Sequence, residues 1–317
     1  MMGFGGRAAM REEETSARLG ELADCLRALA GLTEDMVTAA DRAEAGQAAL
    51  AERVARIAAR LEEVASVARH GLLLMETAPG VRSAHVEAGV ALVRLKTGLK
   101  LYVPSADPGF AAQLMVAGQW QPRLGAVLRR LVRPGHLCVD LGAECGYFTV
   151  AMAAAAGPEG RVLAFEPAEE AFELLRRSLW ANGFSQDGRA QVCRGLPGAG
   201  EAPDLDEALA RADPSGAAPV LLRLGDDTSA DVLLASEGWL SRPGEVALVA
   251  ALGDRARQTA FREGEPGARL AGAGFEAIPV ATGRSEDVVA FVKPAGRSAT
   301  WHGAGAQADR ALAAAGG

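Results

Sequence analysis

Residues 137–149 read Leu-Cys-Val-Asp-Leu-Gly-Ala-Glu-Cys-Gly-Tyr-Phe-Thr, and this stretch decides the fold that the 317-residue chain is expected to adopt. Its first three residues are apolar, as in a buried strand, and the run of Ala, Val and Met that continues to Ala156 is typical of a helix. Gly142 and Gly146 lie in the tight turn between the two. Ligands of open α/β sheets bind at the carboxyl ends of the strands. The turn is therefore expected to border a binding site.

A second predicted strand, residues 161–165, ends in Glu166-Pro167. A carboxylate at that place accepts both hydroxyls of a ribose in dinucleotide-binding folds. The spacing Asp-x-Gly-x-x-x-Gly, from Asp140 to Gly146, differs from the Gly-x-Gly-x-x-Gly of nicotinamide sites, which disfavours a nicotinamide-dependent oxidoreductase. Together the turn and the acid resemble the class I S-adenosylmethionine (SAM) methyltransferase pattern. The alternative is an α/β sheet with glycine turns and no ligand.

Strand and helix patterns alternate along the rest of the chain. Further strands are predicted at residues 190–193, 220–224, 246–252, 274–280 and 287–292, the last two as a closing antiparallel pair. Helices are predicted at residues 168–182, 205–212 and 229–240, and before the core at 124–131. Residues 86–103 alternate as short strands around Thr97-Gly98. These patterns predict an α/β fold with a doubly wound, mostly parallel sheet of seven strands.

The amino-terminal part has a different pattern, with apolar residues recurring at spacings of three and four from Leu19 to Ala68. Seven such heptads are typical of a coiled coil, about 75 Å long if the helix is unbroken. A break at Gly31, with Thr33 capping a second helix, would give a helical hairpin instead. We expect this segment to form a homo-oligomer or to dock a partner helix, and the alternative is packing on its own domain.

Three parts of the chain are thereby predicted: a helical oligomerisation segment at 1–75, a SAM-methyltransferase-like domain at 84–294, and a Gly/Ala-rich disordered tail at 295–317. The net charge of −7 argues against a broad nucleic-acid face. Four cysteines without metal or redox spacing indicate reduced thiols in a cytoplasmic protein. No His/Cys cluster suggests a metal site, and no apolar run approaches the roughly 20 residues of a membrane span.

From about Thr97 to Pro294 the chain resembles the FkbM family of SAM-dependent methyltransferases. The matching elements are Gly118-Gln119-Trp120, Arg133-Pro134-Gly135, Val139-Asp140-Leu141-Gly142-Ala143, Gly146-Tyr147-Phe148-Thr149, Phe165-Glu166-Pro167 and Asn182-Gly183. The resemblance implies a class I methyltransferase fold with SAM as cofactor. It also implies methylation of an oxygen on a small-molecule or glycan acceptor, often a sugar or a secondary metabolite.

Three positions depart from the family pattern. Glu144 stands where the family usually has Asn, Gln121 stands where a Glu is expected, and Gly225 stands where the fourth strand usually ends in an acidic residue. These departures lie at the rim of the expected site. They favour either an altered acceptor site or a second hypothesis, a non-catalytic methyltransferase-like scaffold that binds a partner through its coiled coil.

For the cofactor, Asp140 is expected to hold the methionine end of SAM, directly or through water, and Glu166 the ribose. The other expected cofactor contacts lie in the glycine loop and after the next two strands: Gly142, Ala143, Glu144, Gly146, Tyr147, Pro167, and Arg194 or Gly195 near the adenine. For a hydroxyl acceptor the protein must supply alignment and a base.

Asp226 and Asp227 form the one acidic pair suitably located, at the carboxyl end of the sheet, to act as that base or as a metal ligand. The alternative is that they cap the helix that follows. Trp120 and Gln121 are expected to contact the acceptor, although packing of Trp120 on the edge of the sheet is an equally good interpretation.

Overall fold

The computed structural model of the chain describes residues 54–59, 82–199, 202–225, 230–252, 255–278 and 288–294. The chain divides into two units, residues 1–92 and 93–317. In the first unit the described residues comprise a helical segment at 54–59, strand β1 (Ser83–Glu87) and the start of β2 (Val90–Arg94). The predicted coiled coil and the predicted tail lie outside the described residues, apart from that helical segment, so both stay predictions.

The short strands predicted at residues 86–103 are present as β1, β2 and β3 (Lys100–Pro104), which form a three-stranded sheet in chain order. The turn between β2 and β3 contains the predicted Thr97-Gly98 pair. It is closed by the N–H of Gly98, which donates to the carbonyl oxygen of Leu95 at 2.9 Å.

The second unit is built on a sheet of seven strands. They are β4 (Leu137–Leu141), β5 (Arg161–Glu166), β6 (Ala190–Arg194), β7 (Val220–Leu224), β8 (Val246–Ala251), β9 (Glu276–Ile278) and β10 (Val288–Lys293). Their order is β6-β5-β4-β7-β8-β10-β9. Strands β4 to β8 pair in parallel, and β10 is antiparallel to both β8 and β9. The predicted α/β fold, with a mostly parallel sheet of seven strands and a closing antiparallel pair, is thus confirmed.

The strand order reverses between β4 and β7. The chain passes from β4 outward to β5 and β6 and then returns to the other side of β4 as β7. Every residue of β4 and of β7 is buried, because parallel strands in the centre of a doubly wound sheet are covered on both faces. Open sheets of this kind bind ligands at such a reversal, outside the carboxyl ends of the strands.

Helices accompany the strands. They are α1 (Phe110–Ala117), α2 (Pro122–Leu131), α3 (Tyr147–Ala156), α4 (Glu169–Ala181), α5 (Leu205–Ala212), α6 (Asp231–Leu234), α7 (Gly238–Ser241), α8 (Arg255–Glu263) and α9 (Glu265–Gly272). Within the described part of the chain, none of the helices has the length and apolar character needed to cross a bilayer.

The helix α4 fixes β3 beside the main sheet through polar contacts. The N–H of Tyr102 donates to Ser178 Oγ at 2.9 Å. Asn182, which ends the helix, accepts from the N–H of Lys100 at 2.9 Å and donates to its carbonyl oxygen at 2.7 Å. These contacts satisfy backbone groups of β3 that face α4, as buried backbone groups require.

The prediction of one helix over residues 229–240 is wrong for the residues described there. Two short helices, α6 and α7, take its place. The carboxylate of Asp206, in α5, accepts from the N–H groups of Gly238 and Trp239 at 2.8 Å each. A carboxylate bonded to two successive N–H groups starts a new helix at that point. The interruption therefore comes from a residue outside the segment.

Residues 253–273 received no predicted element, yet α8 and α9 occupy most of them. Their junction is Gly264, where α8 ends and α9 begins. Phe261 and Leu270 are buried in the main core, which also contains Trp239 and Phe275 with ring centroids 5.6 Å apart. Both helices thus belong to the apolar cover of the sheet.

Candidate functional site

The candidate site begins at the glycine loop that follows β4. The N–H groups of Gly142 and Ala143 both donate to the carbonyl oxygen of Phe165, at 2.9 and 3.0 Å, so the loop is fastened to the end of β5. Gly146 has a φ of 94° and directly precedes α3. This φ favours glycine, and a Cβ at the position would lie 2.6 Å from Leu175 Cδ1 of α4, so that side chain would have to move.

Glu166 ends β5 beside this loop, at the position predicted from the sequence for a ribose-binding acid. Its side chain is only 4% exposed. Oε2 accepts from the N–H of Glu144 at 2.7 Å, and Oε1 accepts from the N–H of Ala168 at 2.8 Å, just before α4. A carboxylate offers about four lone-pair sites, so each oxygen retains capacity for one more donor. Glu166 can therefore shape the loop and accept two hydroxyl groups at the same time.

Asp140, the expected contact for the methionine end, is fully buried. Its Oδ2 accepts from Thr149 Oγ1 at 2.5 Å. Its Oδ1 forms an ion pair with Arg223 Nη1 at 2.7 Å. Both oxygens thus face partners from the protein, and the carboxylate ties β4 to the first turn of α3 and to β7.

Arg223 is the cation in this network and lies directly opposite Asp140 in the register of β7 on β4. It is 3% exposed. Nη1 also approaches the carbonyl oxygen of Gly142 at 3.2 Å, and the guanidinium carbon lies 4.4 Å from the centre of the Phe148 ring. The guanidinium group is therefore held between the glycine loop and the start of α3, at the reversal of strand order.

Gly225 follows β7, at the position where the family resemblance leads one to expect an acid. Its N–H donates to the carbonyl oxygen of Leu141 at 2.8 Å. A Cβ at this position would lie 2.8 Å from Gly142 O and 3.0 Å from Leu141 O. Because Gly225 has no side chain, its backbone packs closely on the glycine loop. The Cβ of any larger residue would collide with the carbonyl oxygens of Leu141 and Gly142.

The two other departures from the family pattern share a backbone feature. Gln121 has a φ of 38° and Glu144 a φ of 51°, and among the residues that the structure describes these are the two non-glycine residues with positive φ. Left-handed backbone is uncommon for such side chains and concentrates at functional sites. The observation marks the start of α2 and the glycine loop as strained segments.

Cys145 lies inside the glycine loop and is buried. Burial, and then the charge of Glu144, raise the pKa of its thiol well above the usual range. The pKa of the Cys138 thiol in β4 is raised too, first by burial and then by Asp140. Both thiols are therefore protonated at neutral pH and poor nucleophiles.

The remaining predicted site residues have varied surroundings. Tyr147 is half-buried at the start of α3, its ring 4.9 Å from that of Phe148, and Pro167 is exposed. Arg194 is exposed and paired with Glu169 at 2.8 Å, while the N–H of Gly195 donates to the carbonyl oxygen of Glu166 at 3.0 Å.

Trp120 contacts Phe110 edge to face, with ring centroids 5.2 Å apart. This pair joins the turn before α2 to the first residue of α1. Packing of Trp120 on the edge of the sheet and its contact with an acceptor both stay predictions. Asp226 and Asp227, the predicted base pair, lie outside the described residues, so that assignment also stays a prediction.

Two residues of the site were not singled out in the sequence analysis: Arg223 as the partner of Asp140, and Thr149. A signal for Arg223 was present, because it is a charged residue within the apolar run Val220–Leu224. A charge buried in a central strand needs a partner, and Asp140 is the acid in the neighbouring strand.

No protein-family model and no curated protein sequence matches the chain. Among solved structures, it is similar to a methyltransferase from Geobacter sulfurreducens, with 23% identity, a TM-score of 0.39, and coverage of 61% of this chain and 91% of that one. A SAM-dependent O-methyltransferase from Thermotoga maritima is 16% identical, with a TM-score of 0.39 and coverage of 66% and 79%. The C-terminal domain of a precorrin-6Y C5,15-methyltransferase from Rhodobacter capsulatus is 19% identical, with a TM-score of 0.36 and coverage of 55% and 89%. At such TM-scores the likeness assigns no activity to this chain.

Proposed function

We propose that the chain is a SAM-dependent methyltransferase of the FkbM type that methylates a hydroxyl oxygen of a sugar, a glycan or a secondary metabolite. One observation carries this proposal. The buried carboxylate of Glu166 lies at the carboxyl end of β5 and accepts the N–H of Glu144 from the adjoining glycine loop, next to the reversal of strand order. A carboxylate that can accept hydrogen bonds from two neighbouring hydroxyl groups thus lies beside a turn where a ligand can approach the backbone.

The residues present fit this cofactor. Glu166 would hold the ribose hydroxyls with its remaining lone pairs. Helix α3 begins at Tyr147, directly after Gly146, and has no side-chain cap, so its first N–H groups would face the carboxylate of the methionine moiety. Asp140 would act on the methionine end indirectly, because its two oxygens are engaged by Thr149 and Arg223.

When bound, SAM supplies a methyl group on a sulfonium centre that is already reactive toward nucleophiles. The protein therefore has to align the acceptor and to take up the hydroxyl proton. We assign the proton acceptor to Asp226 or Asp227, on their place after β7, and the acceptor contacts to Trp120 and Gln121. The segment at residues 1–75 is proposed to make the protein a homo-oligomer.

The test of the cofactor proposal is calorimetric titration with SAM and with S-adenosylhomocysteine. We compare the unmodified protein with Glu166→Gln and with a matched control, Glu173→Gln. Glu173 is exposed on α4 and pairs with Arg176 in the same helix. Glu166→Gln should weaken SAM binding by about 1–3 kcal/mol, the scale for a hydrogen bond to a charged group, and the control should bind normally. A folded protein that binds neither ligand would refute the proposal.

The acceptor class needs a separate experiment. Transfer of a radioactive methyl group from SAM is measured with panels of sugars, oligosaccharides and hydroxylated secondary metabolites. Label in a base-stable methyl ether supports O-methylation. Tight SAM binding without transfer to any hydroxyl acceptor, or transfer only to amines, would contradict this part of the proposal.

A further inference from the structure

The pair formed by Asp140 and Arg223 lies inside the two central strands, β4 and β7. The two side chains are 0% and 3% exposed, and their charged atoms are 2.7 Å apart. Buried ion pairs of this kind contribute little net stability, since removal of both charges from water offsets their attraction. Stability alone therefore does not explain why the strands carry these residues.

The pair is also incompletely satisfied. Arg223 Nη1 reaches Asp140 and the carbonyl oxygen of Gly142, while the buried Nε has no hydrogen-bond partner among the residues described. An unsatisfied buried donor lowers stability, and apolar side chains of similar volume would avoid that cost. This second observation points to a use of Arg223 at the site rather than in the core.

The position of the pair indicates what that use is. It lies beneath the glycine loop, where β4, β7 and the start of α3 meet, and Thr149 occupies the second oxygen of Asp140. The negative charge of Asp140 is thus neutralised next to the candidate site. A ligand in the site meets a neutral pair instead of an unpaired carboxylate.

From this geometry we infer that Arg223 is a positioning residue that sets the charge preference of the site, acting through Asp140. The inference rests on the proposed function. SAM carries a positive sulfonium charge that S-adenosylhomocysteine lacks, and that charge disappears as the methyl group leaves. An unpaired carboxylate would stabilise the charged reactant more than the transition state, which would slow transfer. The neutral pair avoids this and lets the site hold both ligands with similar affinity.

The test measures the ratio of the two dissociation constants by calorimetry at pH 8. The unmodified protein should bind SAM and S-adenosylhomocysteine within about threefold of each other. Arg223→Met leaves Asp140 unpaired and should strengthen the binding of SAM relative to that of S-adenosylhomocysteine by roughly tenfold or more. This is the effect of a nearby opposite charge in a buried site. Asp140→Asn leaves Arg223 unpaired and should weaken the binding of SAM relative to that of S-adenosylhomocysteine.

Two further variants separate charge from packing. Arg223→Lys keeps the cation and should keep the original ratio, and the double variant Asp140→Asn/Arg223→Met removes both charges and should restore it. If Arg223→Met fails to fold, the opposite shift expected for Asp140→Asn still tests the inference. Equal weakening of both ligands in the single variants would overturn it. Failure of the unmodified protein to bind either ligand would instead refute the proposed function.

Discussion

Replacement of Gly225 is the perturbation whose outcome follows most directly from the geometry. The family resemblance leads one to expect an acidic residue at this position, so Gly225→Asp would restore the family pattern. The structure nevertheless leads us to expect that this variant is destabilised. A Cβ at residue 225 would lie 2.8 Å from Gly142 O and 3.0 Å from Leu141 O, and both of these are backbone atoms.

The expected loss in the free energy of unfolding follows from those distances. A carbon and a carbonyl oxygen normally approach no closer than about 3.3 Å. Residue 225 would therefore have to move about half an ångström away from the glycine loop. That retreat stretches the hydrogen bond from Gly225 N to Leu141 O, now 2.8 Å. Overpacking of this kind costs about 1–3 kcal/mol. With a urea slope of about 2 kcal/mol per molar, the unfolding midpoint should fall by about 0.5–1.5 M.

The assay is urea unfolding of Gly225→Ala and Gly225→Asp, with Gly272→Ala as the matched control. No atom lies within 4 Å of a Cβ at Gly272, at the end of α9, so this variant should unfold at or slightly above the original midpoint. Both Gly225 variants should unfold earlier, because they share the clash. A Gly225→Asp protein as stable as the original, or one that binds SAM more tightly, would refute the reasoning.

Three other predictions concern stability. Asp206→Ala removes the acceptor for the N–H groups of Gly238 and Trp239 and should lower the free energy of unfolding by about 1–2 kcal/mol; an unchanged urea midpoint would show that the cap contributes nothing. Glu144→Gly relieves a left-handed backbone at φ 51° and should raise the free energy of unfolding by about 1 kcal/mol in the same assay, whereas a decrease would contradict the strain argument. Burial, followed by a nearby arginine, lowers the pKa of His136 from 6.5 to about 4, so between those values the unfolded chain binds a proton that the folded chain does not. Stability should therefore fall as the pH drops through that window, by up to about 3 kcal/mol at pH 4, and His136→Gln should flatten this dependence in urea unfolding at several pH values.

The strands could be predicted well because their signals are local. Strand β7, for example, has four apolar residues among its five, and turn-forming residues lie on both sides of it. The glycine loop and Glu166 could also be placed at the carboxyl edge of the sheet, because parallel strands end there together. The interruption between α6 and α7 could not be predicted, since it depends on a carboxylate in α5 that is far away in the sequence.

The internal partners of the site were harder to predict for the same reason. Asp140 and Arg223 meet through the register of β4 on β7, two strands that are separated in the chain by β5 and β6. The need for a partner is visible in each strand, but the identity of that partner depends on the strand order. The close approach at Gly225 likewise arises from tertiary packing, which no local pattern records.

The most direct test of a SAM site at the reversal of strand order is hydrogen–deuterium exchange with and without saturating S-adenosylhomocysteine. If SAM binds there, the ligand should slow exchange in the glycine loop and the first turn of α3, residues 142–149, and around Glu166. Exchange at β9, at the far edge of the sheet, should not change. Protection confined to another part of the sheet, or no protection at all, would show that the ligand does not bind at the reversal of strand order.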